Sequence, residues 1–365
     1  MKNIEFSVPT INTKEVIKYT KKVLLNNFPN EGEATKIFQK KIKNILKSRY
    51  VITTTSGTSA IFLALKSLNV QGKDEVIVPN ITFPATANAV RMAGAKLVLV
   101  DVNPKNLLID INSLKKKINK KTKAIIPVHV SGRGENIQKI IKICKRKNIR
   151  VIEDAAEAFG SKYKKKFLGN FGDFGCFSFA PNKIITTGQG GVVVTSNKSN
   201  YQKMLKIKDQ GRVGPTTGGA DKHVMDGFNL KFTNLQAALG ISQLNTFKKR
   251  IKKLNKIHNF YKKNLIKNEK LRLFNFDQKN GEIPLWSDVY CTDRNKLYKY
   301  LKKKNVICRL FWLPLNTLKP YKKSNKDFSN SYKLQNKLMW LPSSLTLETK
   351  DQKKICNLIN NYYRK

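Results

Sequence analysis

Acidic residues are scarce in this chain of 365 residues: 24 Asp and Glu stand against 71 Lys and Arg, giving a formal net charge of +47. A nucleic-acid module would need its basic clusters interleaved with aromatics and with Gly/Ser spacers. The clusters here, such as 115–117, 164–166, 248–250 and 302–304, are short, spread along the whole chain and lack that interleaving. No dedicated nucleic-acid partner is therefore expected. Two accounts of the charge stand. Lys, Asn and Ile are residues of A/T-rich codons, so genome composition is one. Attraction for anionic substrates or surfaces is the other.

Cysteine is sparse too. Cys144, Cys176, Cys291, Cys308 and Cys356 are odd in number and scattered, with no Cys-x-x-Cys pair, which argues against a disulfide framework or a zinc site and for a reducing compartment. No apolar run approaches the ~20 residues that span a bilayer, and the first residues lack a signal-peptide core. A cytoplasmic protein without a membrane span is expected. A dinucleotide fingerprint is missing as well: Gly188-Gln-Gly-Gly191 precedes a strand-like run instead of opening a helix.

What is present is alternation. From residue 50 to about 195, short β-branched runs (51–54, 75–78, 96–100, 124–130, 150–154, 176–179, 191–195) alternate with helical stretches (58–68, 85–93, 137–147). That pattern predicts a mainly parallel sheet covered on both faces, with ligands beyond the strand C-termini, at Thr55, Pro79, Asp101, Ser131 and Asp154. A long helical pattern from Thr233, with Leu244, Phe247, Ile251, Leu254 and Ile257 on one face, leads into a second αβ region. The expected division is 1–245, an N-terminal segment plus a large domain, and 246–365, a small C-terminal domain. Residues 1–30 are expected to lie against the large domain or a partner.

The chemistry centres on Lys183, in Phe177-Ser-Phe-Ala-Pro-Asn-Lys-Ile-Ile-Thr-Thr-Gly-Gln-Gly-Gly191, 29 positions after Asp154. A buried carboxylate and a lysine among small and hydroxyl residues suit a cofactor with a cationic ring nitrogen and an aldehyde, which is pyridoxal 5'-phosphate held as a Schiff base. Thr54-Thr-Ser-Gly-Thr-Ser-Ala60 sits between a strand and a helix, so Thr58 and Ser59 open a helix N-terminus suited to a phosphate, though an ordinary cap has the same composition. Ser178 is a second phosphate candidate. Phe83 fits a ring-stacking role or a plain core position. Glu157 fits the ring oxygen, the amino donor or a solvated turn. His129 reads as a satisfied core histidine, and Asn229 as a polar residue in an apolar stretch.

Together these pieces resemble the DegT/DnrJ/EryC1/StrS family of sugar aminotransferases, within the aspartate-aminotransferase fold type I. The matching motifs are Ser56-Gly-Thr-Ser-Ala60, Asp74-Glu-Val-Ile-Val-Pro79, Ala93-Gly-Ala95, Val151-Ile-Glu-Asp-Ala-Ala-Glu-Ala158, Asn182-Lys-Ile-Ile-Thr-Thr-Gly-Gln-Gly-Gly191 and Gly227-Phe-Asn229 with Thr233-Asn-Leu-Gln-Ala-Ala-Leu-Gly240. The resemblance runs from Phe6 to Ser344 and is closest to perosamine-synthase-like members. It implies a seven-stranded, mostly parallel sheet and a homodimer with shared active sites. Lys183 would bind the cofactor's aldehyde, Asp154 would pair with its ring nitrogen and Phe83 would stack on the ring. Thr58, Ser59 and Ser178 would hold the phosphate, joined by Asn229 of the partner subunit. Arg309 lies where the family often has an Arg near a substrate or donor carboxylate.

The implied reaction is glutamate-dependent amination of a nucleotide-linked keto sugar, such as GDP-4-keto-6-deoxymannose, for surface-polysaccharide or O-antigen assembly. Three departures qualify the transfer. Glu157 stands where many members carry Gln or His, although Glu occurs in perosamine-synthase-like ones. Lys231 stands where Arg is common, and Gln189 where Glu is frequent. Two alternatives remain, a keto-sugar dehydratase of the same family and a basic regulatory or nucleic-acid-binding protein on a dormant transaminase fold. Dehydratase members carry His at the catalytic position, so Lys183 disfavours the first.

Overall fold

The computed structural model describes residues 3–214 and 221–364. Its centre is a seven-stranded sheet built from β1 (Tyr50–Thr54), β2 (Glu75–Pro79), β3 (Lys96–Val100), β4 (Thr122–Ile125), β5 (Arg150–Asp154), β8 (Phe174–Ser178) and β9 (Gly191–Thr195). A short hairpin, β6 (Lys162–Tyr163) and β7 (Lys166–Phe167), intervenes between β5 and β8. The strand order is β1-β9-β8-β5-β4-β2-β3. Pairings β2/β3, β2/β4, β4/β5 and β5/β8 are parallel, and β9 runs against both its neighbours. The expected α/β architecture with a mostly parallel sheet is what the chain adopts.

Helices α1 (Thr13–Leu25) and α2 (Glu33–Leu46) precede the sheet. Within it, α3 (Gly57–Ser67), α4 (Pro84–Met92), α5 (Ile111–Lys117), α6 (Ile137–Arg146) and α7 (Lys198–Lys208) supply the crossovers and the exit. Their starts follow capping chemistry. The Ser56 side chain accepts from the Ser59 amide at α3, and Pro84 occupies the first turn of α4, where no N–H is needed. The strand expected over 124–130 stops at Ile125 because Pro127 has no amide to donate. Pairing to β5 survives only as an isolated bridge between Val128 and Asp154.

Two other expectations are corrected. The long helical pattern from Thr233 is two helices, α8 (Asn234–Asn245) and α9 (Phe247–Asn264), broken at Thr246. The Thr246 amide closes α8 onto Gln243 O while its carbonyl opens α9 by accepting from Arg250 N–H. Residues near the start also divide their attachments. Ile4 bridges Val306, far along the chain, whereas α1 packs on α8. Helix α2 buries Phe38, Ile42 and Leu46, spaced four apart. Phe38 stacks on Phe232 with ring centroids 5.7 Å apart, and a Cβ at Gly240 would meet the Phe38 ring at 2.5 Å, so α2 approaches α8 where only glycine fits.

Between α7 and α8 a two-stranded ribbon joins β10 (Arg212–Val213) to β11 (Lys222–His223). Beyond α9 lies an antiparallel sheet of β12 (Leu271–Leu273), β13 (Ser287–Cys291), β14 (Arg309–Leu310) and β15 (Leu338–Leu341), in the order β12-β13-β15-β14. Helices α10 (Arg294–Lys303), α11 (Ser329–Leu334) and α12 (Thr349–Arg364) accompany it. Its own core includes Leu271, Val289, Met339, Leu341 and Ile355. Among the described residues no helix is long and apolar enough to cross a membrane.

Candidate active site

The C-terminal edge of the parallel strands gathers the sequence-predicted residues. Asp154 ends β5 and is only 5% exposed. Its Oδ2 accepts from Thr86 Oγ1 at 2.7 Å and its Oδ1 from the Ala156 amide at 3.1 Å. Burial pushes its proton affinity up, against the opposing pull of Thr86, Ala156, Lys183 and His129. A buried carboxylate with two donors is under-compensated, and a protonated ring nitrogen is the kind of partner that completes it.

Lys183 lies on the loop after β8, with its Nζ 3.3 Å from Glu157 Oε1 and 5.1 Å from the centre of the Trp286 ring. Glu157 is buried, and its other oxygen accepts from the Ser131 amide at 2.8 Å. Burial raises the proton affinity of Glu157, with Lys183 and Ser131 opposing and Asp288 adding to the rise. Asp288, on β13, accepts from Ser131 Oγ at 2.8 Å and forms a buried ion pair with Arg133 at 2.5 Å. The second sheet thus braces the loop that holds Glu157. Ser131 sits there at φ +52°, a left-handed conformation uncommon for serine.

At the start of α3, Ser56 is the N-cap and Ser59 Oγ lies 2.8 Å from Thr55 Oγ1 and 2.9 Å from Ser56 Oγ. Helix geometry leaves the amides of the first turn, Thr58 included, without intrahelical acceptors. Ser178 ends β8 directly opposite: a Cβ at Gly57 would lie 2.8 Å from the Ser178 Cβ. Three hydroxyl residues and a helix N-terminus therefore converge, a set that fits a phosphate dianion. Phe83 caps α4 and is 52% exposed, its ring 6.3 Å from that of Trp312, so it presents an open aromatic face. The residues present fit pyridoxal phosphate at the ring nitrogen, the aldehyde, the ring face and the phosphate.

Two predicted residues stand apart. Asn229 is exposed and bridges Asp209, outside the cluster within one chain. Arg309 is exposed on β14, its guanidinium 5.9 Å from the Phe6 ring and 5.7 Å from the Trp340 ring. Both rings touch Trp286, at 5.6 and 4.9 Å, so Arg309 meets the site only through an aromatic stack. Residues that sequence reasoning missed include Thr86 and Trp286, while Ser131, expected at a ligand-facing strand end, meets Glu157 there. Thr86 carried a signal, three positions after Phe83 and hence on the same face of a helix. Trp286 carried none, since it arrives from about a hundred residues downstream.

A buried carboxylate, a lysine at the edge of a mostly parallel sheet and a hydroxyl-lined helix N-terminus define a pyridoxal-phosphate-dependent aminotransferase of fold type I. The chain belongs to the DegT/DnrJ/EryC1/StrS aminotransferase family, whose sequence profile matches residues 10–360. It is 33% identical over 368 residues to a GDP-perosamine synthase of Escherichia coli O157:H7, covering 100% of this chain and 99% of that protein. It is 34% identical over 345 residues to a GDP-perosamine synthase of Vibrio cholerae, covering 92% of each. The Streptococcus pneumoniae protein Spr1654, in its PLP form, shares the fold with a TM-score of 0.93 at 23% identity, over 99% of both chains.

Proposed function

We propose that this enzyme transfers an amino group from glutamate to a nucleotide-linked 4-keto-6-deoxyhexose, with GDP-4-keto-6-deoxymannose as the preferred acceptor. The observation that carries the reading is the end-to-end match to a GDP-perosamine synthase, 100% of this chain at 33% identity. Glu157, 3.3 Å from Lys183, agrees with it, since Glu occurs at this position in perosamine-synthase-like members. The product would feed surface-polysaccharide or O-antigen assembly from the cytoplasm.

When bound, pyridoxal phosphate supplies an electron sink and a carrier for the amino group. Lys183 would hold the cofactor through its aldehyde carbon, and its Nζ would take the proton from the donor Cα, with Glu157 at 3.3 Å and the Trp286 ring at 5.1 Å orienting that Nζ. Asp154 keeps a proton on the ring nitrogen, and Thr86 fixes the carboxylate that does so. Phe83 covers the ring face. Thr58, Ser59 and Ser178 take the phosphate, completed by Asn229 of the partner subunit, so a homodimer with shared sites is the functional unit. Arg309 is the candidate for a substrate or donor carboxylate. The division into residues 1–245 and 246–365 belongs to this reading too, with α9 carrying the chain from the large sheet to the small one.

The test is a panel assay. Purified holoenzyme and glutamate are offered GDP-, UDP- and dTDP-linked 4-keto and 3-keto sugars and small keto acids. The expected result is the highest kcat/KM for the GDP-linked 4-keto sugar. Preference for a 3-keto sugar, or for a small keto acid over every sugar nucleotide, would overturn the reading.

A further inference from the structure

Glu153, the neighbour of Asp154 on β5, is fully buried and plays no part in the reaction described above. Successive strand residues face opposite sides of a sheet, so its carboxylate turns away from the one that serves the site. Glu153 Oε1 accepts from the amides of Phe171 at 2.6 Å and Gly172 at 2.7 Å. Its Oε2 accepts from the Gly169 amide at 2.8 Å and lies 2.8 Å from His129 Nε2. A carboxylate offers about four lone-pair positions. Three are filled by amides, and three backbone donors favour the charged form of a carboxylate, so the proton shared at the fourth position rests on His129 Nε2.

The other ring nitrogen settles the protonation state. His129 Nδ1 lies 3.2 Å from the Arg133 carbonyl oxygen, and a carbonyl only accepts. Both nitrogens of His129 therefore face acceptors, and a neutral ring would turn a lone pair toward one of them. We infer that His129 is held as an imidazolium, and that this buried positive charge acts as a positioning group for Asp154, keeping its carboxylate ionised so that the shared proton stays on the cofactor's ring nitrogen. The backbone places the two side by side: the His129 amide donates to the Asp154 carbonyl at 3.0 Å, while the Asp154 amide donates to Pro127 O at 2.9 Å. His129 lowers the proton affinity of Asp154, as a cation there must.

The surrounding charges leave this one in place. Glu153 pairs with His129 at Nε2, so His129 acts on Asp154 as the positive end of an ion pair. The Arg133 guanidinium is committed to Asp288, Lys183 faces Glu157, and the Cys176 thiol on β8 is pushed far up by burial and stays neutral. Asp154 is the remaining carboxylate on which the His129 charge acts. This second part rests on the proposed role of Asp154; the protonation of His129 does not.

The chain has three histidines, so 15N-histidine NMR of the holoenzyme can resolve them by single substitutions. His258, whose proton affinity burial pushes down to about 3, supplies a neutral reference. His129 is expected to show two protonated ring nitrogens at the working pH. One unprotonated nitrogen would overturn the inference, whatever Asp154 does. His129→Gln keeps a donor but removes the charge. It should move the midpoint of the bound cofactor's pH-dependent absorbance upward by about one unit and lower kcat about tenfold, with KM for glutamate unchanged. A variant that loses thermal stability while its absorbance midpoint stays in place would show the role to be structural only.

Discussion

Glu153 and Asp154 are adjacent carboxylates, both buried, yet the fold surrounds them differently. Glu153 accepts from three amides, faces His129 Nε2 at 2.8 Å, and ties β5 to the 169–172 loop and to His129. Asp154 accepts from two donors and keeps the rest of its capacity for a ligand. One strand thus carries a saturated carboxylate on one face and an under-satisfied one, proposed to serve the cofactor, on the other. The difference lies in what the fold brings to each face, since the side-chain chemistry is nearly the same.

Removing the saturated carboxylate should have the largest effect. Glu153→Ala leaves three loop amides and a buried histidine without their acceptor, so a stability loss of about 3–5 kcal/mol is expected by denaturant unfolding of the holoenzyme. A loss under about 1 kcal/mol would erase the contrast with Asp154.

Asp154→Asn should act the other way. Turnover is expected to fall on the order of 100- to 1,000-fold, the scale of losing one preorganised electrostatic group, while the apoenzyme gains about 1–2 kcal/mol. The sign follows from linkage. Burial raises the folded-state pKa of Asp154, so between its unfolded and folded values the folded chain binds more protons. Apoenzyme stability therefore drops as pH rises through that window. Asp154→Asn should flatten this slope in thermal melts of apoenzyme against pH, and an unchanged slope would mean that Asp154 does not titrate on unfolding.

The smallest effect sharpens the comparison. Thr86→Val removes one of the two donors to Asp154 and keeps the side-chain volume. A hydrogen bond to a charged group contributes about 1.5–3 kcal/mol, so kcat/KM should fall roughly 10- to 100-fold with little change in melting temperature. An equal loss in kcat/KM from a threonine distant from Asp154, such as Thr195, would remove the meaning of the contact.

Much of this was legible beforehand because it is local. Strand and helix periodicities marked six of the seven strands within about two residues, and Lys183, Asp154, Thr58, Ser59 and Ser178 stand in motifs whose spacing carries their chemistry. The failures were also physical. Pro127 cut β4 short by lacking an amide, and Thr246 divided one helical pattern into two helices by serving as cap to both.

The sequence by itself determined the class of sheet and the cofactor, and singled out Lys183 as the lysine proposed to serve it, because those readings depend on residue type and short spacing. Only the tertiary structure decided how Glu153 and Asp154 divide their labour, why His129 has two acceptors, and which aromatic ring walls Lys183. Each of these depends on partners such as Trp286, Asp288 and the 169–172 amides, which chain folding brings from outside the local motif, and local pattern holds no information about who will arrive.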